Sequence, residues 1–325
     1  MFGLGWLRAL TDARGLLEHA HHGVPRLGEG YTTDDNARAL LYLSLLPEGA
    51  RDEGLVRTYL AFLLHMQKED GRFRNGLTLD GRFEDEGEAE DPTGRAVLAL
   101  AAAQRLPPPY AGPAREALLR ALPALEGFTS LRGRAYALLG LLALPKEPFL
   151  EAAEALGEGL LRAFREAEPA WPYPGPLTYA NHRPVEALYA YGLAFRRQEA
   201  VALARRALAF LKEHYFTPGE EGLFFDPVGN RFMARGRDKP LFDQQPIEAK
   251  CALLAHLRFG ERVLAEVAFL WFHGRNRLRA PLVDAFGPMD GLTPHGPNQN
   301  RGAEALLADL LAWQALVQGV FPQVD

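Results

Sequence analysis

Gly30-Tyr31-Thr32-Thr33-Asp34-Asp35-Asn36-Ala37-Arg38 runs straight into Ala39-Leu40-Leu41-Tyr42-Leu43-Ser44-Leu45-Leu46, a polar knot followed by a segment apolar on almost every helical face. Two carboxylates, an amide and a guanidinium at the mouth of a buried helix cost stability, because like charges repel and each needs a partner once water is excluded. Such a knot is either a helix cap or a site. The same alternation recurs down the chain. Residues 86–95 open an apolar stretch at 96–106, residues 129–134 open 135–144, and residues 179–187 open a helix reaching about 195. The knot at 242–249 opens a fifth helix, and residues 295–305 open the last, which runs to about 316.

Between the apolar helices lie amphipathic ones, at 4–21, 54–67, 113–128, 148–167 and 199–215, with apolar residues recurring in the 3.6-residue manner. Pro184-Val185-Glu186-Ala187, Pro246-Ile247-Glu248-Ala249 and Gly302-Ala303-Glu304-Ala305 share one register. It puts Pro at the first helical position twice and Glu at the third in all three, the pattern of a capped helix start. Spacing between knots is irregular, which argues against a solenoid of fixed period. Helices without a solvent face alternate with helices that keep one, so two concentric rings are expected. The expected fold is all-α, an (α/α)6 barrel formed by residues 1–325 as one domain. Parallel inner helices would gather the knots at one end, where helix termini favour anions and polyhydroxyl ligands.

A formal net charge of −5 with scattered Lys and Arg leaves no electrostatic footprint for nucleic acid. The single Cys251 excludes a disulfide framework and a multi-cysteine zinc site. The N-terminus lacks a basic region leading into a long apolar segment, and no run reaches the ~20 apolar residues of a membrane span, so a cytoplasmic protein with no membrane partner is expected. No His-x-x-His or Glu-x-x-His pair places metal ligands on one helix face, and no Gly-x-Gly-x-x-Gly follows a strand. Neither a metal nor a cofactor is expected.

The motifs Thr32-Thr33-Asp34-Asp35-Asn36-Ala37-Arg38, Asp70-Gly71-Arg72-Phe73-Arg74-Asn75, Glu90-Asp91-Pro92-Thr93-Gly94-Arg95-Ala96 and Gly302-Ala303-Glu304 together span most of the chain. In these the sequence resembles the six-hairpin glycosidase-like superfamily. The resemblance is to a subgroup of bacterial barrels often found beside or fused to glycosyltransferases and near mannoside phosphorylases. It implies work on carbohydrate, with a saccharide as ligand or substrate, and it admits a glycosyltransferase partner. Pro92 and Thr93 depart from the small or histidine residues expected before that Gly-Arg.

Three readings follow. The first is an inverting glycoside hydrolase acting on a cytoplasmic oligosaccharide, in which one carboxylic acid protonates the leaving oxygen and a carboxylate about 6.5–9.5 Å away activates water. The acid must be kept protonated by burial or a like-charged neighbour, a condition Asp35 beside Asp34 meets. Asp35 or Asp91 is therefore the expected acid and Glu304 the expected base. Asp34, Asn36, Arg38, Asn181, His182, Arg183, Glu186, Asp243, Gln244, Gln245, Glu248, His295, Asn298, Asn300 and Arg301 are candidate binding residues in the knots, and Trp171 and Tyr179 are aromatic platforms for sugar rings. The second reading is a sugar isomerase resembling the N-acylglucosamine 2-epimerases, with His182 and His295 facing one substrate carbon. The third is a non-catalytic saccharide-binding module serving a glycosyltransferase. Carboxylates salt-bridged to Arg38, Arg95 and Arg301 would favour it.

Overall fold

The computed structural model describes residues 3–84, 90–144 and 146–319. Its first helix, α1 (Gly3–Ala9), stops well short of the end expected at residue 21. The reason is local. Thr11 Oγ1 donates back to the Leu7 carbonyl at 2.6 Å, and Asp12 Oδ1 accepts from the N–H groups of Arg14 at 2.8 Å and Gly15 at 3.2 Å. These short polar side chains offer the backbone an alternative to the helical ladder, and the chain reverses. Thr11 then bridges to Leu16 and Leu17 to Tyr31. A hairpin of β1 (Ala20–His21) and β2 (Val24–Pro25) follows. β3 (Tyr31–Thr32) leads directly into α2 (Thr33–Leu45).

By its packing the chain divides after Gly159 into two compact units. The first continues with α3 (Glu53–Met66), β4 (Gly76–Leu77), β5 (Phe83–Glu84), α4 (Glu90–Ala102), α5 (Pro108–Leu125), α6 (Leu131–Leu141) and the start of α7 (Phe149–Arg165). β3, β4 and β5 form one antiparallel sheet, with Tyr31 opposite Leu77 and Gly76 opposite Glu84. α2, α4 and α6 are buried on nearly every face, whereas α3 and α5 bury one face each. α4 lies between α2 and α6. α4 begins at Glu90 and α6 at Leu131, earlier than the 96 and 135 expected, so these two knots are the first helical turns themselves. Pro92 is tolerated there because the first turn has no intrahelical use for its missing N–H. α4 and α6 approach backbone to backbone: a Cβ on Gly94 would lie 2.5 Å from the Gly133 carbonyl oxygen.

The second unit holds α8 (His182–Ala194) packed on α9 (Gln198–Tyr215), and the hairpin of β6 (Phe216–Gly219) and β7 (Gly222–Phe225). α10 (Pro246–Arg258) and α11 (Arg262–Leu270) come next. Two further hairpins, β8 (Val283–Asp284) with β9 (Gly287–Pro288) and β10 (Leu292–Thr293) with β11 (Gly296–Pro297), precede α12 (Ala303–Gln318). α8, α10 and α12 are buried all round, with α10 contacting both others. α9 and α11 bury one face. α11, at 9 residues, is too short to show a clear period, so no amphipathic helix is legible there in the sequence. Pro184 is the third residue of α8 rather than the first, while Pro246 is first in α10. Among the described residues no helix is long and apolar enough to cross a membrane.

Candidate active site

The start of α2 is held by hydrogen bonds in every direction but one. Thr32 Oγ1 accepts from the Asp35 N–H at 3.2 Å and donates to Asp35 Oδ2 at 2.9 Å, capping the helix and placing a carboxylate at its positive end. Asp35 Oδ1 accepts from Arg38 Nη1, and both side chains are buried. Asn36, fully buried, clamps the reversed segment before β1 by accepting from the Leu16 N–H at 2.9 Å and donating to the Leu16 carbonyl. From the other side comes the 70–75 loop. Phe73 is buried and its N–H donates to Thr93 Oγ1 at 2.9 Å, while Asn75 accepts from the N–H groups of Thr33 and Asp34.

Asp34 is what remains open. Its side chain is 23% exposed, against 4% for Asp35. Arg95 Nε of α4 lies 3.3 Å from one of its oxygens and Arg38 Nη2 3.8 Å from the other. Arg95 is aimed by stacking on the Tyr136 ring of α6, 4.4 Å from its centroid. Charge from two guanidiniums thus converges on a partly exposed carboxylate.

The second and third knots are fastened to each other. Glu90 accepts from the N–H groups of Thr129 and Ser130, and Asp91 accepts from Ser130 Oγ at 2.6 Å and from Arg132 Nε at 2.9 Å. Asp91, the carboxylate expected as an acid, thus joins the start of α4 to the start of α6. Asp35, the other expected acid, has its oxygens taken up by Thr32 and Arg38 in a buried cap. Residues 86–89 of the second knot lie outside the described residues.

Glu18 is the carboxylate that sequence reasoning missed. Its N–H donates to the Gly30 carbonyl at 3.0 Å, beside the Leu17–Tyr31 bridge, so it runs along the strand that feeds α2. Burial, then the Asp35 charge, with lesser pushes from Glu29 and Asp34, raise its carboxyl to about 7 against the pull of His19. It was hidden because a helix was expected through residue 21. The Asp12–Gly15 turn signal in the sequence would have revealed it.

In the second unit the expected binding residues are mostly interior. Glu186, 1% exposed, is held between Arg183 Nη1 at 2.5 Å and Arg258 Nε at 3.0 Å. Burial opposes its ionisation, but the two guanidiniums outweigh that and keep its carboxyl below the usual range. Glu248 accepts from the Ala180 N–H, and Asn181 accepts from the Thr178 N–H at 3.0 Å while donating to Tyr215 at 2.8 Å. Tyr179 packs on the cluster of Ala180, Ile247 and Cys251. Gln244, buried, donates to Asp226 at 2.8 Å and accepts from Trp271 Nε1 at 2.9 Å. Asn181, Arg183, Glu186, Gln244 and Glu248 are thus ties between elements. Gln245 is the N-cap residue of α10, with no side-chain cap bond, and Asp243 is exposed in the left-handed region at φ 59°.

His182 and His295 lie in opposite surroundings. His182 is fully buried against the rings of Tyr215 and His256, with centroids 4.8 and 5.8 Å away. Burial holds its imidazole well below the usual range, with His256 adding to the effect. His295 is exposed in the β10–β11 turn. Arg301 pairs with Asp284 at 2.7 Å and donates to the Gly287 carbonyl, which fastens the β8–β9 hairpin to the start of α12. Asn298 accepts from the Asn300 N–H at 3.1 Å, and Asn300 accepts from the Asp290 N–H at 2.8 Å. Glu304 is partly exposed in the first turn of α12. Trp171 lines a groove of about 610 Å³ with Tyr173, Pro174 and Arg235, its indole N–H held by the Gly175 carbonyl at 2.8 Å.

No family model and no curated protein matches the sequence. Solved structures do match in shape. A D-mannose isomerase superposes with a TM-score of 0.71 at 10% identity, covering 98% of this chain and 95% of that one. A cellobiose 2-epimerase from Bacillus thermoamylovorans gives 0.70 at 9% identity, covering 95% of each chain. The chain has the (α/α)6 barrel fold that these structures share. An alpha-1,6-mannanase from a Salegentibacter species, in an inactive variant with two consecutive aspartates changed to asparagine and bound to alpha-1,6-mannotriose, gives 0.60 at 14% identity, covering 95% of this chain and 94% of that one. Among the described residues no group of three or more His, Cys, Asp or Glu is placed to hold a metal ion.

Proposed function

We propose that this chain is a carbohydrate-active enzyme that hydrolyses a glycosidic bond of an oligosaccharide at the Asp34 carboxylate. The observation that carries the reading is the contrast within one helix start: Asp35 is buried and fully engaged, whereas Asp34 reaches solvent with Arg38 and Arg95 beside it. A carboxylate fixed by its neighbours and open on one side can take a proton from water as it attacks an anomeric carbon, and the two arginines can hold sugar hydroxyls. The inactivated mannanase, altered at two consecutive aspartates, supports looking first at this consecutive pair. In this reading Asp34 takes the part of base that the sequence reading gave to Glu304, and inversion is the expected stereochemical course.

The test is incubation with a panel of manno- and gluco-oligosaccharides, alpha-1,6-mannotriose included, with sugar release and the first-formed anomer followed by NMR. Wild type is expected to release sugar, and Asp34→Asn to lose about 10²–10⁴ of the rate. No release from any member by wild type would sink the hydrolase. Ion pairing of Asp34 with Arg95 and of Asp35 with Arg38 is also what a saccharide-binding module working with a glycosyltransferase would show. Binding without turnover would select that reading. D-mannose and cellobiose belong on the panel too, and a new ketose or epimer would select the isomerase.

A further inference from the structure

We propose that Glu18 is the proton donor of the Asp34 site, protonating the glycosidic oxygen as the bond breaks. The inference rests on the hydrolase reading and deepens it. Backbone pairing fixes the location: the Leu17–Tyr31 bridge and the Glu18 N–H to Gly30 carbonyl bond at 3.0 Å hold Glu18 beside the strand whose next residues are the Thr32 cap and Asp34. Its side chain is 32% exposed, so it is reachable from solvent.

The charges around it divide the carboxylates into two kinds. Asp34 and Asp35 have the guanidiniums of Arg95 and Arg38. Glu18 has His19, whose Nε2 is 3.5 Å from Oε1, and it is faced by Asp34 and Asp35 from α2 and by Glu29 from the turn before β3. Glu29 is itself paired with Arg26 at 2.9 Å. Partial burial and like charge raise the Glu18 carboxyl to about 7, so it holds a proton near neutrality. A carboxyl raised in this way is what a general acid working near neutrality needs.

The step balances without a co-reactant. The bond between the anomeric carbon and the glycosidic oxygen breaks, and the leaving oxygen takes the Glu18 proton. Water forms the new carbon–oxygen bond and gives its proton to Asp34. Exchange with solvent then returns the proton to Glu18.

Two measurements test this on the full chain. In the first, the Glu18 carboxyl is titrated by ¹³C NMR, assigned by comparison with Glu18→Gln. A midpoint near 7 that falls in Asp35→Asn is expected, and a midpoint in the ordinary glutamate range would overturn the proposal. In the second, wild type and Glu18→Gln are compared on an unactivated oligosaccharide from the panel and on an aryl glycoside of the same sugar, whose leaving group needs little protonation. The variant should lose about 100-fold or more on the oligosaccharide, keep most of its rate on the aryl glycoside, and lose the alkaline limb of the pH profile. Glu18→Asp, which keeps an acid in place, should recover part of the rate. Equal loss on both substrates, or an unchanged alkaline limb, would overturn Glu18 while leaving the hydrolase standing. A wild type that releases no sugar would instead remove the hydrolase, and the donor with it.

Discussion

Replacing Glu186 by Gln keeps the shape of the side chain and removes its charge, leaving Arg183 and Arg258 facing a neutral amide. The three side chains are 1%, 3% and 8% exposed. Breaking a buried pair by removing one partner costs about 3–5 kcal/mol, because the remaining charge is buried without compensation. Two guanidiniums converge here, which argues for the upper part of that range. For a cooperative unit of this size each kcal/mol lowers Tm by about 2–4 °C, so a fall of about 10 °C or more is expected. Urea unfolding of wild type and Glu186→Gln, with calorimetry, measures both. The pH dependence has a definite sign. The Glu186 carboxyl lies below its ordinary value in the folded chain, so the unfolded chain binds more protons as pH falls past about 4.3. The stabilisation is present above that pH and is lost as pH drops through the folded value, so the gap between wild type and variant should be flat from pH 5 to 8 and close in stronger acid. A loss below about 1 kcal/mol, or one that vanishes in high salt, would mean an exposed pair and would refute the reasoning.

His182, buried with its imidazole held below the usual range, makes the folded chain bind fewer protons than the unfolded one below pH 6.5. Stability should therefore fall by up to about 1.4 kcal/mol per pH unit below that point, and His182→Phe should flatten this slope in urea titrations at pH 5–7. Gly94→Ala would drive a Cβ to 2.5 Å from the Gly133 carbonyl oxygen, so α4 and α6 must separate. A cost of about 1–3 kcal/mol is expected, read from the urea midpoint, and an unchanged midpoint would show that the two backbones are not in contact.

The knots illustrate how far a linear reading reaches. Asp34 and Asp35 are adjacent in sequence and equally acidic, yet one is interior and the other open. Thr32 and Arg38, one turn away on either side, take up Asp35, while Arg95 reaches Asp34 from another helix. Glu186 and Glu248 look alike in their Pro-x-Glu-Ala register, but one is gripped by two arginines and the other by the Ala180 N–H. Gln244 reads as a polar mouth residue and is a buried tie, since Asp226 and Trp271 reach it from distant parts of the chain.

From the sequence alone came the alternation of all-round apolar helices with one-faced ones, and with it the six-hairpin fold, because helical burial is written in a period of a few residues. The polar clusters at the helix starts were legible for the same reason. Which carboxylate keeps water, which is bound by an arginine and which holds a proton was decided by side chains arriving from elsewhere. Glu18 shows this most plainly: a four-residue turn at 12–15 carried it out of a helix and beside α2, and charge interactions follow distance in space rather than separation along the chain.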